Sequence, residues 1–344
     1  LHLSLRRQRQ MCIRDRGGVT AKNVLVIGGA GYIGSHMVRM LTEEGLGAVV
    51  LDDLSSGFAD TVPQSVPLIV GDAGNRELLE QIFQEHEIDA VMHFASYIQV
   101  GESVLQPAKY YENNLSKTLA LLASMAHHQI KNFIFSSTAA IFGSPTNGAI
   151  CEAHQTVPIN PYGRSKLAVE QVLPDYEQAY GIRHVCLRYF NAAGAQPDGS
   201  LGERHEPETH LIPLAINAAL GNGPSLKIFG DDYSTADGTC VRDYIHVCDI
   251  AAAHLSALNH LRNQGNSLKL NLGNGAGYSV KDVLNSVQRI TRQAVPHEFV
   301  ARRMGDPSVL VADSAQARKA LNWTPRYPAL DDIIAHAYAW HSSM

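Results

Sequence analysis

Two residues four positions apart, Tyr162 and Lys166, have the types and spacing for proton transfer. They lie in the segment PYGRSK, whose proline suits the first turn of a helix. Side chains four residues apart stack on one helix face, so an ammonium group can lie beside a phenol. Lowering a tyrosine pKa from about 10 to near 7 takes roughly 4 kcal/mol, and a neighbouring positive charge favours the phenolate. The pair therefore predicts a general base that works at neutral pH.

Hydroxyl side chains end the segment FIFSST, shortly before this pair in the chain. Ser136, Ser137 and Thr138 fall at the carboxyl end of a predicted strand, where doubly wound sheets bind ligands. Singly, a tyrosine is more often a half-buried aromatic and a lysine a solvated charge. Together with a hydroxyl, they are the groups needed when a proton leaves an alcohol and a hydride passes to a cofactor. We predict Thr138, Tyr162 and Lys166 as catalytic residues.

A glycine-rich turn gives the second chemical signal. Gly28, Gly31 and Gly34 in GGAGYIG follow one predicted strand and open a predicted helix. This spacing allows a tight turn and lets a pyrophosphate approach the amides of the helix N-terminus. Asp52 ends the next strand, where a carboxylate accepts hydrogen bonds from ribose hydroxyls. No Arg or Lys lies in this loop or in residues 52–57, so the pattern favours NAD over NADP; a plain turn followed by an unrelated Asp is the alternative.

Short apolar runs alternate with longer segments of helical spacing, which predicts an α/β fold with a doubly wound (Rossmann-type) parallel sheet. After about Tyr189 the pattern changes to loops rich in Gly, Pro and Asp, with helices at 211–220 and 279–292. We predict an NAD-binding domain over 21–190, to which 240–262 returns, and a smaller α/β substrate-binding domain over 191–344. The predicted strands are 23–27, 48–52, 67–71, 90–94, 132–136 and 184–188, and the helices between them are 32–45, 75–86, 107–128 and 161–180.

Composition excludes several function classes. The 344 residues carry 28 Lys and Arg against 33 Asp and Glu, for a net charge of −5, which argues against nucleic acid or an anionic membrane as the main partner. Five cysteines without C-x-x-C spacing indicate neither a disulfide framework nor a zinc knuckle, and they favour the cytoplasm. The histidines, including the adjacent His127 and His128 at a helix end, lead us to expect no metal site.

The first twenty residues differ from the rest in composition. They hold five arginines and one aspartate and have no apolar stretch of the length that a secretory signal needs. We interpret residues 1–20 as a non-native leader outside any domain, ahead of a protein that begins near Thr20.

With these residues in place, the chain resembles the extended short-chain dehydrogenase/reductase superfamily and, within it, the UDP-glucose 4-epimerase family. The resemblance covers nearly all of residues 22–340. Its most specific segment is GDDYSTADGTCVRDYIHV, because that segment lies in the sugar-nucleotide half rather than in the cofactor fold. Other matching segments are VIGGAGYIGSH, VLDDLSSG, HFASYIQVGESV, YYENNLSKT, FIFSSTAAIFG, PYGRSKLAVE, LRYFNAAGA, HLIPLAI and RRMGDPSVLVAD.

The resemblance implies that NAD stays bound while a UDP-sugar is oxidised at C4, turned over and reduced on its other face, interconverting UDP-glucose and UDP-galactose. Tyr162 would act as base, Thr138 would share the proton path and Lys166 would hold the nicotinamide ribose. It also implies a homodimer formed through 107–128 and 161–180. The implied cofactor contacts are Tyr32, Ile33, Asp52, Asp53, Leu54, Ser55, Ser56, Gly57, Asp72, Ala73, Phe94, Ala95, Ser96, Asn113, Thr138, Tyr162, Lys166 and Phe190.

For the UDP-sugar, the resemblance implies a tightly held nucleotide and a loosely held hexose. Phe229 would lie against the uracil, and Arg242 and Arg303 would bind the diphosphate, since guanidinium groups match phosphate oxygens. Leu310 occupies a position where a bulky aromatic accompanies plain hexoses and a smaller residue admits an N-acetyl group. The implied substrate contacts are Thr138, Tyr162, Asn191, Leu211, Lys227, Phe229, Arg242, Arg303, Asp306 and Leu310.

Three alternatives stay open at this point. Other UDP-sugar 4-epimerases, acting on pentoses or uronates, differ only in residues of the sugar pocket, and Leu310 leaves additional use of UDP-N-acetylglucosamine open. A nucleotide-sugar dehydratase needs an acid/base pair directly after the hydroxyl residue, where this chain has Ala139 and Ala140. A non-enzymatic NAD-binding protein need not keep Thr138, Tyr162 and Lys166 together.

Overall fold

The computed structural model describes residues 22–145, 148–303 and 306–343. The arginine-rich leader predicted over 1–20 lies outside these residues. Within them, the helices are α1 (Tyr32–Glu43), α2 (Arg76–Glu85), α3 (Val100–Leu105), α4 (Pro107–Tyr111), α5 (Lys117–His127), α6 (Pro161–Tyr180), α7 (Leu211–Ala219), α8 (Val247–Arg262), α9 (Val280–Thr291), α10 (Ala315–Leu321) and α11 (Leu330–His341).

The described strands form one large sheet and three small ones. They are β1 (Asn23–Ile27), β2 (Gly47–Asp52), β3 (Leu68–Val70), β4 (Ile88–His93), β5 (Asn132–Thr138), β6 (Arg183–Tyr189), β7 (Asn191–Ala193), β8 (Leu226–Phe229), β9 (Val241–Arg242), β10 (Tyr244–His246), β11 (Leu268–Leu272), β12 (Tyr278–Ser279), β13 (His297–Val300) and β14 (Val309–Leu310).

Among the described residues, seven parallel strands build the large sheet in the order β11-β6-β5-β4-β1-β2-β3. Its strands are apolar on both faces because each face is covered. In β1, Val24 and Val26 belong to one hydrophobic cluster, and Leu25 and Ile27 belong to another. The doubly wound fold is therefore confirmed, and so are the six predicted strands and the principal helices, to within one or two residues at most ends.

The predicted helix over 107–128 is interrupted. The chain forms α4, then a π-helical turn over Glu112–Ser116, then α5. Asn114 in this turn is buried, and its side-chain amide donates to the Tyr97 carbonyl and to Ser165 Oγ while its oxygen accepts from the Tyr97 amide. The wider turn thus directs a side chain toward α6, as π-bulges often do at functional sites.

The domain boundary predicted at residue 190 does not divide the chain cleanly. Strand β11 joins the edge of the large sheet beside β6, although it was assigned to the substrate-binding part. Ala317, Leu321 and Trp323 also pack into a cluster on that sheet. The chain therefore passes between the large sheet and the substrate-binding part more often than predicted. Strand β11 pairs along the edge of β6, and α10 helps to cover an apolar face of the sheet.

The substrate-side layer has its own core. Apolar residues of α7, α9 and α11 pack together there with residues of β8 and β10. The described residues also form three small sheets. In these, β7 pairs with β10, β8 pairs with β13, and β9 lies between β12 and β14. No helix among the described residues is both long and apolar enough to span a membrane.

Candidate active site

Lys166 lies on α6 with its amine directed at the carboxyl ends of the central strands. The side chain is buried, and Nζ donates to Ser96 Oγ at 2.6 Å and to the Ser136 carbonyl at 2.8 Å. Burial lowers the pKa of Lys166 to about 7, although the nearby Glu170 carboxylate acts in the other direction. The structure thus joins α6 to the turn after β4 and to the end of β5 through one amine.

Tyr162 lies one turn before Lys166 on the same helix, with its phenol near the Thr138 hydroxyl. Burial raises the pKa of Tyr162, while interaction with Thr138 lowers it. The described hydrogen bonds of the Lys166 amine run to Ser96 and Ser136, which leaves one of its three N–H donors, so stabilisation of the phenolate by Lys166 stays a prediction. The protein thus places the Thr138 hydroxyl near the Tyr162 phenol. Burial outweighs the effect of Thr138, so the pKa of Tyr162 is raised and the phenol stays protonated at neutral pH.

A buried network continues the same helix face. Glu170, four residues after Lys166, receives bonds from Arg188 (Nε at 3.0 Å, Nη2 at 2.6 Å) and from Ser137 Oγ at 2.6 Å. Glu170 and Arg188 are almost completely buried. Sequence analysis missed Glu170 and Arg188. The signal available was the i, i+4, i+8 spacing of Tyr162, Lys166 and Glu170 on one helix.

The glycine turn fits a dinucleotide closely. Gly28 has φ +78°, and a Cβ there would lie 2.6 Å from the Ala95 amide. A Cβ on Gly34 would lie 2.1 Å from the Gly28 carbonyl. Helix α1 follows Gly31, which offers no side-chain cap, so the first-turn amides are left for an anion.

Asp52 holds this turn from the second strand. Its Oδ2 accepts from the Ala30 amide and its Oδ1 from the Leu54 amide, both at 2.9 Å. Burial raises the pKa of Asp52, and these two amide bonds oppose that effect. The predicted segment from Asp53 to Gly57 then turns back, and a Cβ on Gly57 would meet the Ala30 backbone at 2.9 Å. A carboxylate oxygen has more than one lone pair, so Asp52 can still accept from a ribose.

Tyr32 needs a narrower interpretation. Its hydroxyl donates to the Gly194 carbonyl at 2.6 Å, and its ring lies edge-on to His36 and His205. The side chain therefore joins the glycine turn to the loop after β7. Any cofactor contact of Tyr32 and Ile33 comes from the backbone of the first helical turn.

Asp72 and Ala73 follow β3, the edge strand of the large sheet. Asp72 accepts from the Gly74 amide at 2.7 Å and pairs with Lys117 at 2.6 Å, and these partners lower its pKa despite partial burial. An open cavity borders Asp72 and Lys117. Lys117 is a cation that the prediction of NAD over NADP did not consider, and Asp72 neutralises it.

The turn after β4 carries the other predicted cofactor contacts. Phe94 and Ala95 follow the strand, and Ser96 receives the Lys166 amine. Phe94 packs against His254 with ring centroids 4.8 Å apart. Asn113 donates to Asn114 Oδ1 at 3.1 Å, so the predicted contact lies beside the buried amide that orders this turn. Asn114 is a site residue that the sequence analysis missed.

Two pairs bring the predicted nucleotide-binding residues together on the substrate side. The Arg303 guanidinium lies over the Phe229 ring at 3.8 Å from its centroid, and Arg242 Nη2 lies 3.7 Å from Asp306 Oδ1. The Asp306 amide donates to the Arg303 carbonyl at 3.3 Å, so both pairs share one loop. Arg303 thus covers one face of the Phe229 ring, and stacking of a uracil on Phe229 stays a prediction.

The remaining predicted substrate contacts lie around these pairs. Leu310 pairs in register with Arg242 and packs with Phe190 against a small cluster of Ile141, Phe142 and Ile150. Asn191 begins β7, Leu211 begins α7, and Lys227 is exposed on β8 two residues before Phe229.

Asp243, a second buried carboxylate, is absent from the predicted set. It accepts from the amides of Asn274 (2.8 Å), Gly275 (3.0 Å) and Ala312 (3.1 Å). Burial raises its pKa to about 6 against the effect of these bonds. It fixes the strand that carries Arg242 against the segment that follows Leu310. The segment VRDYIHV is part of the family resemblance and contains the predicted contact Arg242, but nothing in the sequence shows that three amides converge on Asp243.

Comparison with known proteins bears on this arrangement. Residues 24–273 match the model of the NAD dependent epimerase/dehydratase family. A UDP-glucose 4-epimerase of Halalkalibacterium halodurans is 50% identical over 318 residues, which cover 92% of this chain and 95% of that protein. The crystal structure of a UDP-glucose 4-epimerase from Brucella ovis in complex with NAD is 48% identical, covers 92% of this chain and 98% of that one, and has a TM-score of 0.90. A UDP-Glc/GlcNAc 4-epimerase from Campylobacter jejuni is 40% identical, covers 94% of this chain and 100% of that one, and has a TM-score of 0.82.

Proposed function

Because this chain belongs to the NAD-dependent epimerase/dehydratase family, we propose that it interconverts UDP-glucose and UDP-galactose by reversible oxidation at C4 of the sugar. It is an epimerase, and its cofactor is NAD. The observation that carries the proposal is the convergence of Thr138, Tyr162 and Lys166 beside the glycine turn, within a chain half identical to curated UDP-glucose 4-epimerases.

In this proposal Tyr162 removes the proton from the sugar 4-hydroxyl. Interaction with Thr138 lowers the pKa of Tyr162, and Thr138 passes or holds the proton between the sugar and the phenol. Lys166, held by Ser96 and the Ser136 carbonyl, fixes the position of α6 and binds the nicotinamide ribose. When bound beside these residues, NAD would supply the hydride chemistry at C4, which oxidises the sugar and then reduces it from the opposite face.

Epimerisation also needs a nucleotide that stays fixed while the sugar turns. We propose that Phe229, Arg242, Arg303 and Asp306 hold the UDP, with Arg303 leaving the Phe229 ring as the uracil arrives. Support comes from the contact of Arg303 with Phe229, from the Arg242–Asp306 pair, and from the short turn that joins Arg303 to Asp306. We propose that Asn191, Leu211 and Lys227 also contact the UDP-sugar and that Leu310 borders the hexose.

The test is a direct assay of the purified protein. We expect it to retain NAD through gel filtration and to convert UDP-galactose to UDP-glucose. Tyr162→Phe should lower kcat by about 10²- to 10⁴-fold, because it removes the group that takes the proton. The matched control is Tyr176→Phe, on the same helix but three turns away from the site and partly exposed.

Failure of the wild-type protein to bind NAD and to convert either sugar would contradict the proposal. Elimination of water from the sugar would favour a dehydratase, although Ala139 and Ala140 follow Thr138 where such an enzyme needs an acid. Conversion of UDP-pentoses or UDP-uronates in preference to hexoses would favour another 4-epimerase. NAD binding without turnover of any UDP-sugar would favour a non-enzymatic role.

Assembly and location are part of the same proposal. We propose a homodimer through 107–128 and 161–180, supported by the exposed apolar residues Val104 and Leu105 directly before the first of these segments. Light scattering of the wild type and of Leu105→Glu tests it: a dimer that weakens in the variant is expected, and a wild-type monomer would contradict it.

We also propose a cytoplasmic location, which is supported by four described cysteines that are free. We also propose that the chain divides into two functional units, which meet along β7 and β10.

A further inference from the structure

Four side chains from one short segment, GERHEPETH, converge apart from Thr138, Tyr162 and Lys166. Glu203, His205, Glu208 and His210 each offer one nitrogen or oxygen atom, and these four atoms all lie within 4.8 Å of one another. His210 Nδ1 is 2.9 Å from Glu203 Oε1 and 2.9 Å from Glu208 Oε1. His205 Nδ1 is 3.1 Å from Glu203 Oε1 and 3.6 Å from Glu208 Oε2.

These separations match those of ligands around a small tetrahedral ion. Imidazole nitrogens and carboxylate oxygens bind zinc at about 2.0–2.2 Å, which puts neighbouring ligand atoms about 3.3 Å apart. The measured spacings of 2.9 to 3.6 Å span that value. Two carboxylates also balance the charge of one divalent cation.

An unpaired atom points to a ligand. His205 Nδ1 is buried and makes no hydrogen bond, although Glu203 Oε1 lies 3.1 Å away, so the oxygen is off the direction in which the nitrogen binds. Edge-on packing against Tyr32 fixes the His205 ring. A cation between the four groups would satisfy this nitrogen, which the carboxylate does not.

The surrounding contacts hold the other groups in position. Trp340 Nε1 donates to the Glu203 carbonyl at 2.9 Å, and the amides of Thr209 and His210 donate to Glu208 Oε1 at 2.7 and 2.8 Å. Such supporting bonds orient ligands before an ion arrives.

We propose that Glu203, His205, Glu208 and His210 bind one zinc ion. Four protein ligands leave no open position, so the site is structural rather than catalytic. The ion would fix the segment GERHEPETH in place. His205 in this segment packs on Tyr32 in the first turn of α1, and His210 directly precedes α7. The proposal does not rest on the epimerase activity.

A competing arrangement uses the same four groups without an ion. Protonated imidazoles between two carboxylates have the same total charge, so only a measurement of bound metal separates the two. A second group, Glu80 with His127 and His128, provides a matched control within the described residues. Both clusters contain one direct bond, from His128 Nε2 to Glu80 Oε2 at 2.8 Å and from His210 Nδ1 to Glu208 Oε1 at 2.9 Å, but the control cluster differs in that His127 is exposed.

The experiment measures zinc in the full-length protein, without an affinity tag, by mass spectrometry after dialysis against metal-free buffer. We expect about one zinc per chain in the wild type, or after addition of zinc chloride followed by dialysis. His205→Gln and His210→Gln should lose it, and His127→Gln should keep it. Reconstitution with cobalt chloride should give the intense visible absorption of tetrahedral cobalt in the wild type and in His127→Gln alone.

Retention of NAD by His205→Gln and His210→Gln shows that these variants fold. Chelation should also lower the melting temperature of the wild type by roughly 5 °C or more and leave that of His205→Gln unchanged. A wild type that retains less than about a tenth of an equivalent after zinc addition would overturn the proposal. Equal retention in all four proteins would overturn it as well, by assigning the metal to another position.

Discussion

At the residue scale, burial decides what the ionisable groups of the candidate site can do. It brings the pKa of Lys166 down to about 7 and raises that of Tyr162, so each change favours the neutral form. Among the described residues, Thr138 is the neighbour that lowers the pKa of Tyr162 and so favours its phenolate. Positive charge brought by bound NAD would complete the change that the protein begins.

Substrate range is a residue-scale property of Leu310. Its side chain lies between Phe190 and the cluster around Phe142, and its backbone pairs with Arg242. Leu310→Tyr fills the space that an N-acetyl group would need, so turnover of UDP-N-acetylglucosamine relative to UDP-glucose should fall about tenfold or more.

Steady-state kinetics with both sugars measures this ratio. Val309→Tyr is the control, because Val309 is exposed beside Leu310 and should leave the ratio unchanged. A Leu310→Tyr variant with the wild-type ratio would separate Leu310 from the choice of sugar.

At the element scale, α6 carries the chemistry and its supports along one face. Tyr162 and Lys166 occupy its first two turns, and Glu170 follows with Arg188 and Ser137 as partners. Asn160 caps the helix by accepting from the Gly163 amide at 2.8 Å. The start of the helix therefore sets the position of the phenol.

Removing this cap should reduce both stability and turnover. Asn160→Ala is expected to cost about 1 kcal/mol of unfolding free energy and to lower kcat, because the first turn that holds Tyr162 loosens. Asn75→Ala removes the equivalent cap of α2, where Asn75 accepts from two amides, and should cost a similar free energy without changing kcat at saturating NAD. Urea unfolding and initial rates measure the two effects, and equal kcat losses would contradict the positional role of Asn160.

Breaking the buried ion pair should cost more than removing it entirely. Glu170→Gln leaves the buried Arg188 without its charge partner, and we expect a loss of about 3–5 kcal/mol in unfolding free energy. The double variant Glu170→Leu, Arg188→Met should recover most of that loss, since no charge stays buried. Urea unfolding of both variants tests this. A double variant no more stable than Glu170→Gln would show that the charge itself is not the cause.

At the scale of the whole molecule, buried histidines set the acid limit of the fold. His36, His93, His246 and His254 lie in the interior, and burial lowers their pKa values to about 4, 3, 3 and 4. Asp243, whose pKa burial raises to about 6, acts in the opposite sense.

Unfolding free energy should therefore fall as pH drops below the ordinary histidine value of about 6.5. Below this pH the unfolded chain binds protons at these histidines and the folded protein does not, so each histidine lowers the unfolding free energy by about 1.4 kcal/mol per pH unit. Between pH 6 and 4.5, the folded protein binds a proton at Asp243 that the unfolded chain does not. This offsets the effect of one of the four histidines. Urea unfolding across this range should show His254→Leu with a smaller pH slope, by about one proton. The exposed His127→Gln is the control, and identical slopes in all three proteins would contradict the assignment.

The sequence by itself determined the local features of this protein. Continuous apolar runs specified buried parallel strands, the glycine spacing specified the turn before α1, and the spacing of Tyr162 and Lys166 put both on one helix face. These depend on neighbours within a few residues, so periodicity and residue type are enough to predict them. The family resemblance then supplied the nucleotide-binding residues of the distal layer.

Only the tertiary structure decided which distant groups meet. It turned Lys166 toward Ser96 and the Ser136 carbonyl, paired Glu170 with Arg188, and brought three amides onto Asp243. Each of these depends on the path of the chain between elements and on the need of a buried polar group for a partner. Neither is encoded in the spacing of any single segment.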